Sequence, residues 1–274
     1  MTIYYNRTAV VTGAGGGLGR ALALDLAARG ARLAICDING EAVQGTAALA
    51  QAAGAEVMAT ALDVTDSAAV QGFADAVLTH FGSVHQLYNN AGIGSFDRSF
   101  LDTPPQAFDR IMAVNLGGVV HCSRAFLPHL IASSAGCLVN ISSLNGVMVQ
   151  PLLTAYSTSK FAVRGFTEAL QAEMLLDRHP VQVTLVLPGG IATQIIARGV
   201  ADDAAAKARL KVYDQQLLQM QPDTAARLIL DGVARGRNRI VLSGRAKRLE
   251  LIARLLPAHY PALVVRGTRK LFGG

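Results

Sequence analysis

The sequence predicts an α/β protein built on a doubly wound parallel sheet with helices on both faces, and three observations carry that expectation. Short apolar runs alternate with segments of helical apolar spacing, as strands and their covering helices alternate in a parallel sheet. The first apolar run breaks directly into a glycine-rich turn, Thr12-Gly13-Ala14-Gly15-Gly16-Gly17-Leu18-Gly19. The composition is 51% hydrophobic but only 5% aromatic and without Trp, and a chain so rich in small aliphatic residues suits strands buried on both faces.

In order along the chain, residues 8–12 read as the first strand, 18–29 as a helix ending near Gly30, and 31–36 as a second strand, which together make a βαβ unit. A helix is expected over 41–53, a strand over 57–62, a helix over 67–81 and a strand over 86–88. A long helix over 108–130, a strand over 137–141, a helix over 156–176 and a sixth strand over 182–187 follow, the last closed by Pro188-Gly189-Gly190. With no internal repeat, low-complexity run or Gly/Ser linker, residues 1–274 are expected to form one domain. Within it, the polar, Ala-rich stretch 191–221 is expected as a mobile loop over the site, and 232–274 as a basic C-terminal extension.

Charge and cysteine content narrow the classes. The net charge is +6, but residues 232–274 hold ten Lys or Arg against one acid, Glu250, so that segment carries +9 and the remainder −3. Cys36, Cys122 and Cys137 have no metal-ligand spacing, and the six histidines are scattered, so no metal is expected. The thiols read as reduced core residues of a cytoplasmic protein. Residues 1–7 lack the pattern of a secretory leader, and no run of 18 apolar residues is present. Nucleic-acid binding has no recognisable module to support it.

The chemistry concentrates at Tyr156 and Lys160. Four residues apart on a helix, they share one face about a turn apart. A phenol titrates too high to be a good base at neutrality, and a fixed positive charge beside it favours the phenolate. Ser143 stands thirteen residues before the tyrosine.

These residues, with the glycine turn, Asn89-Asn90-Ala91-Gly92, Asn115 and Pro188-Gly189 in that order and spacing, resemble the short-chain dehydrogenase/reductase family over roughly residues 6 to 195. The turn does not fit the general G-x-G-x-x-G pattern, since Leu18 and Arg20 occupy its last position; its spacing is that of this family. The resemblance implies a Rossmann-like domain and a nicotinamide oxidoreductase in which Tyr156 is the general acid-base. Lys160 would lower the phenol's pKa and bind the nicotinamide ribose, and Ser143 would hold the substrate oxygen. Asn115 would kink its helix and position a water beside the lysine. Ser142 competes with Ser143, but the family's serine stands thirteen before the tyrosine.

For the cofactor, Gly13, Gly17, Leu18 and Gly19 are expected to let the backbone approach a pyrophosphate. Asp37, 24 residues past Gly13, would accept hydrogen bonds from the adenosine ribose and repel a 2′-phosphate, so NAD is expected; its rival role is to cap the next helix. Asp63 and Val64 match the family's adenine contact, with a helix cap as the competing reading for Asp63. Asn90, Ala91 and Gly92 would pass the nicotinamide ribose, with Asn89 bracing the sheet, and Pro188, Gly189, Ile191 and Thr193 would surround the carboxamide.

The expected substrate cleft carries Phe96, Val147, Met148, Leu152, Leu153 and Ile195, with Arg98 the one cation in its segments 94–100 and 145–153, which points to a hydrophobic secondary alcohol or its ketone: steroid-like, alicyclic or long-chain. A non-catalytic nucleotide-binding module and a membrane-surface protein are the alternatives. The resemblance also implies a homo-oligomer, tetramer or dimer, formed through the helices that hold Asn115 and Tyr156, where Val119, Ala125, Ala162, Phe166 and Leu170 would supply the apolar face. The basic segment would either pack on the site or rest peripherally on an anionic membrane.

Overall fold

The computed structural model describes residues 3–94, 98–192, 208, 210–212, 215 and 218–272. Its strands are β1 (Thr8–Thr12), β2 (Arg32–Asp37), β3 (Val57–Ala61), β4 (Gln86–Asn89), β5 (Gly136–Ile141), β6 (Val181–Leu187) and β7 (Arg239–Val241). The helices treated below are α1 (Gly17–Ala28), α2 (Gly40–Ala52), α3 (Ser67–Phe81), α4 (Pro105–Met112), α5 (Gly118–Ala132), α6 (Thr154–Leu176), α7 (Pro222–Ala234), α8 (Gly244–Leu255) and α9 (Tyr260–Phe272). The strands pair in parallel in the order β3-β2-β1-β4-β5-β6-β7, so the order reverses between β1 and β4. This is a Rossmann-like α/β fold.

Strand pleating divides the apolar residues between two cores. Ala9 and Val11 face one core with Leu33, Ile35, Tyr88 and Val139, while Val10 faces the other with Ala34, Cys36, Leu87 and Leu138. Helices α1, α2 and α7 cover the first through Leu22, Leu26, Val43, Ala47, Ile229 and Leu230. Helices α3, α5 and α6 cover the second, where Phe73 and Phe126 meet edge to face at 6.0 Å. Both faces of the sheet are therefore dry, which explains why its strands read as continuous apolar runs.

Three departures from the sequence expectation matter for the site. The long helix expected over 108–130 is interrupted by a π turn over Ala113–Gly117, between α4 and α5. The stretch expected as a basic extension contributes to the sheet: β7 pairs with β6, and Arg239 bonds Glu168 of α6 at 2.7 Å and also Glu250 of α8. Three residues are too short to register as a strand by periodicity. The apolar set expected to face a second copy is largely internal, for Val119, Ala125 and Leu170 are buried and Phe166 packs against the same core. Exposed apolar groups on α6 are instead Phe161, Leu175 and Leu176.

Candidate active site

The carboxyl ends of β1, β4, β5 and β6 lie along one edge of the sheet, and the reversal between β1 and β4 places a crevice there. After β1 the chain turns through Gly13 (φ +66°) and Gly17 (φ +51°), a region costly for residues with a Cβ. A Cβ on Gly19 would stand 2.0 Å from the Gly13 carbonyl oxygen, so glycine is needed for α1 to close on the turn. The N-cap of α1 is Gly16, which offers no capping side chain, and the first turn holds no acid. Space beside Gly16 is open to 4 Å. Uncapped N–H groups at the positive end of a helix, facing open space, form the donor set that a pyrophosphate requires. Leu18 is buried in the core, so only its backbone is available to that set.

Asp37, at the end of β2, accepts from Gly15 N at 2.9 Å and from Asn39 N at 2.9 Å. The cap of α2 is Asn39, whose side chain accepts from Ala42 N at 3.0 Å. A cation that sequence reasoning passed over stands behind the same turn. Arg20 donates to Gly15 O at 2.7 Å, Ala42 O at 3.3 Å and Thr46 Oγ1 at 2.9 Å, so its guanidinium is spent on bracing the turn. Its place one residue after Gly19 was the available signal.

Asp63 accepts from Thr65 N at 2.9 Å, Thr65 Oγ1 at 2.8 Å and Arg110 Nη2 at 3.1 Å. Partial burial works to raise its pKa, but these donors outweigh it and hold the carboxyl below its usual range. Asp66 caps α3, accepting from Ala68 N and Ala69 N, so the helix-cap reading of Asp63 does not hold. Val64 is buried, and its carbonyl lies 3.0 Å from His121 Nδ1.

Thr12 and Asn90 stitch the glycine turn to the end of β4. Thr12 Oγ1 accepts from Asn90 N and Ala91 N, both at 3.0 Å, and Asn90 Nδ2 donates to Thr12 O at 3.0 Å. Asn89 Nδ2 donates to Asn140 Oδ1 at 2.8 Å and Ser123 Oγ at 3.1 Å, binding β4 to β5 and α5. Beyond β6, Pro188 O accepts from Leu144 N at 2.8 Å, which holds the chain after β5 against the chain after β6. Gly189 follows beside Ser243 and Ala246. Ile191 forms a parallel bridge with Met220 and buries its side chain in the core, so any contact it makes with a ligand is through the backbone. Thr193, Phe96 and Ile195 lie outside the described residues.

At the centre of this edge, Ser143, Tyr156 and Lys160 come together. Ser143 lies close enough to the Tyr156 phenol to favour its charged form, and Lys160 Nζ stands 5.7 Å from the centroid of the tyrosine ring. Ser143 also caps a short 3₁₀ turn by accepting from Asn145 N at 3.1 Å. Ser142 instead turns inward and donates to Lys160 O at 2.8 Å, which makes it a brace for α6. Lys160 Nζ donates to Ile141 O at 3.1 Å and flanks Gly92, where an added Cβ would lie 3.5 Å from the ammonium nitrogen and 3.2 Å from Asn115 Oδ1.

Asn115 sits fully buried in the π turn. Its amide bonds Ile93 on both sides, Oδ1 accepting from the N–H at 2.8 Å and Nδ2 donating to the carbonyl at 2.9 Å. Nδ2 also donates to Ser159 Oγ at 2.9 Å, and Ser159 Oγ donates to Tyr156 O at 2.7 Å. The extra residue of a π turn redirects one side chain, and here it points the amide at the chain after β4.

Electrostatics differ from the sequence expectation in one respect. Burial raises the pKa of Tyr156, and the nearby Ser143 only partly offsets it, so in this protein chain the phenol is held neutral and is not drawn down by Lys160. Burial also lowers Lys160 from 10.5 to about 8. Two buried groups that both resist charging make a proton donor ready at neutrality and a base that needs alkali. On the cleft side, Val147 packs with Leu185 and Leu187, and Met148 and Leu153 are also buried, so these three belong more to the interior than to an open substrate wall.

The fold and this cluster define a nucleotide-binding α/β oxidoreductase. Residues 7–204 match the family model for short chain dehydrogenases, and the chain belongs to that family. SadH of Mycobacterium tuberculosis, which carries the name of an oxidoreductase, is 47% identical over 277 residues, covering 99% of each chain. A short chain dehydrogenase/reductase from Burkholderia phymatum, solved in complex with NAD, superposes with a TM-score of 0.87 at 29% identity, over 94% of this chain and 96% of its own. A metagenomic short-chain oxidoreductase solved with NADP gives a TM-score of 0.71 at 29% identity, over 87% of this chain and 98% of its own.

Proposed function

We propose that this oxidoreductase uses NAD to interconvert an apolar secondary alcohol and its ketone, with Tyr156 as the general acid-base. The observation that carries this reading is the convergence of Ser143, Tyr156 and a buried Lys160, whose ammonium stands 5.7 Å from the tyrosine ring, at the sheet edge where the glycine turn opens. Nicotinamide, when bound, supplies the hydride acceptor or donor. The chain supplies the rest. The Ser143 hydroxyl orients the substrate oxygen and donates to the charge that develops on it. Tyr156 Oη takes the alcohol proton in one direction and returns it in the other. Lys160 presents donors to the nicotinamide ribose, and Asn115 positions the Gly92–Ile93 backbone beside it.

Gly13, Gly17, Leu18 and Gly19 would hold the pyrophosphate through backbone groups, Asp63 and Val64 the adenine, and Asn90, Ala91, Gly92, Pro188, Gly189, Ile191 and Thr193 the nicotinamide end. The case for NAD over NADP rests on Asp37, whose carboxylate is anchored by Gly15 N and Asn39 N where the adenosine ribose would lie, and on Arg20 being engaged behind the turn. At about 4 Å and an effective dielectric near 20, a carboxylate repels a phosphate charge by roughly 4 kcal/mol. A panel of neutral alcohols and ketones assayed with both cofactors, read by the absorbance of the reduced nicotinamide, tests the reading. Turnover of apolar secondary alcohols with NAD supports it, and preference for NADP or for charged substrates overturns it.

Two assembly readings go with it. A homo-oligomer would form through the exposed Leu175 and Leu176 of α6, and light scattering that gave a monomer at micromolar concentration would refute it. Peripheral contact with an anionic membrane is supported by helices α8 and α9 and the turn between them, which carry exposed Leu251, Ile252, Leu255 and Leu256 together with exposed Lys247, Arg248, Arg254 and Arg266. Among the described residues no helix is long and apolar enough to cross a membrane.

A further inference from the structure

A second cleft lies away from the phenol, between the N-terminal half of α6 and helix α9. Its volume is 670 Å³, and its walls are Val149 and Pro151 of the loop before α6, Phe161 of α6, and Tyr260, Pro261, Val264 and Val265 of α9. Thr154, Ser157 and Thr158 form a hydroxyl-bearing strip along one side. Helical geometry separates this strip from the catalytic groups. At about 100° per residue, the stripe of residues 154, 157, 158 and 161 is centred about 130° around α6 from the Tyr156–Lys160 face. The cleft is thus not the place where hydride transfer was assigned.

Two features show what it would hold. No lining side chain carries a charge, so the walls offer no cation to pair with a phosphate or carboxylate. Ser157 is 4% exposed, and its Oγ has no hydrogen-bond partner among the described residues. A buried hydroxyl left unpaired in an apolar wall is costly, and a ligand acceptor or donor would satisfy it. A cleft of several hundred Å³ with apolar walls and a few polar atoms has the form of a small-molecule site. The helix that closes it is tethered at its start, where Tyr260 Oη accepts from Val149 N at 3.3 Å.

We propose that the α6–α9 cleft is a second binding site, for a neutral lipophilic molecule that carries one carbonyl or hydroxyl group. The apolar body lies against Phe161, Val264 and Val265, and the polar group meets Ser157. The site is independent of the oxidoreductase reading, since none of its walls belongs to the catalytic cluster.

Nile red, a neutral apolar dye, is titrated into the full-length protein and displaced by decan-2-one. One dye per chain is expected, with affinity about tenfold weaker in Val264→Trp, which fills the cleft, and unchanged in Tyr156→Phe. Ser157→Ala should weaken displacement by decan-2-one more than displacement by decane. Should Val264→Trp fail to fold, hydrogen exchange of the wild type serves instead. Decan-2-one should then slow exchange in residues 149–158 and 260–265. Dye binding lost in Tyr156→Phe would assign the dye to the catalytic cleft and overturn the proposal. So would dye binding unaffected by Val264→Trp, or no protection at α9. A Val264→Trp protein that loses oligomeric state without any change in dye affinity would show that a second copy of the chain occupies the cleft, which also overturns it.

Discussion

Replacing Lys160 with Met should make the protein more stable while removing its activity. Burial moves the Lys160 pKa from 10.5 to about 8, and at 1.36 kcal/mol per unit the charged form is disfavoured in the fold by about 3 kcal/mol. Met keeps the length and most of the volume of the lysine stem without the charge. The substitution also deletes the 3.1 Å bond from Nζ to Ile141 O, and an unpartnered carbonyl costs about 1 kcal/mol. The net expectation at neutral pH is a gain of about 2 kcal/mol, or roughly 4 °C in Tm for a chain of this size.

The sign of the pH dependence makes the argument specific. Because the folded pKa lies below the unfolded one, the wild type binds fewer protons folded than unfolded between pH 8 and 10.5, and its stability rises with pH through that window. The advantage of Lys160→Met should therefore be full at pH 7 and fade toward pH 10. Thermal melts of both proteins at equal concentration, without cofactor, across this range measure it. A variant several degrees less stable at pH 7, or a difference in Tm that stays constant to pH 10, would refute the claim that Lys160 is held in a buried, charge-disfavouring site.

Four other outcomes are expected. Tyr156→Phe should retain NAD binding by calorimetry and lose about 10²–10⁴-fold in kcat, since the ring packs and only the proton is chemistry. Asp37→Ala combined with Ile38→Arg should move the kcat/KM ratio toward NADP, because Ile38 is 65% exposed and leaves room for a phosphate partner; comparable kcat/KM for the two cofactors in the wild type would contradict the Asp37 argument. Since burial holds Tyr156 protonated, ketone reduction should be flat through neutrality and fall in alkali, while alcohol oxidation should rise with pH; initial rates from pH 6 to 10 in both directions decide this. Sedimentation with anionic vesicles at low salt should capture the wild type but not a Leu251→Ser, Leu255→Ser, Arg254→Glu variant; truncation before β7 is unsuitable because Arg239 is tied into the sheet layer.

The parallel sheet was legible because it is buried on both faces. Ala9 to Val11, Leu33 to Cys36 and, in β5, Leu138, Val139 and Ile141 are apolar whichever way they point, so periodicity and glycine punctuation were enough to place them. Asn39 and Asp66 were harder to see as caps, because each stands two or three residues after a more conspicuous acid, Asp37 or Asp63. Strand β7 left no trace because its order depends on a neighbour: three residues beside β6, fixed by Arg239 reaching Glu168 and Glu250, carry no pattern of their own.

The site was legible as residue types and spacing but not as energetics. Tyr156 and Lys160 sit one turn apart, which sequence alone establishes, and from that spacing the ammonium should draw the phenol down. What the spacing omits is depth: both groups are buried, and desolvation acts on each with the opposite sign from their mutual attraction. The same omission hides the π turn at Ala113–Gly117. The family resemblance implied a kink at Asn115, but no apolar spacing in Met112 to Gly118 announces an extra residue per turn; it becomes necessary once Asn115 must reach the Ile93 backbone and Ser159 together. A helix in regular register would turn that amide elsewhere, leaving Ile93 N–H and Ser159 without their shared partner. Gly92 beside the ammonium would then lose the flank that Asn115 Oδ1 supplies. The irregularity in the helix and the geometry of the lysine are one constraint, and it is met only when the chain after β4, α4–α5 and α6 come together.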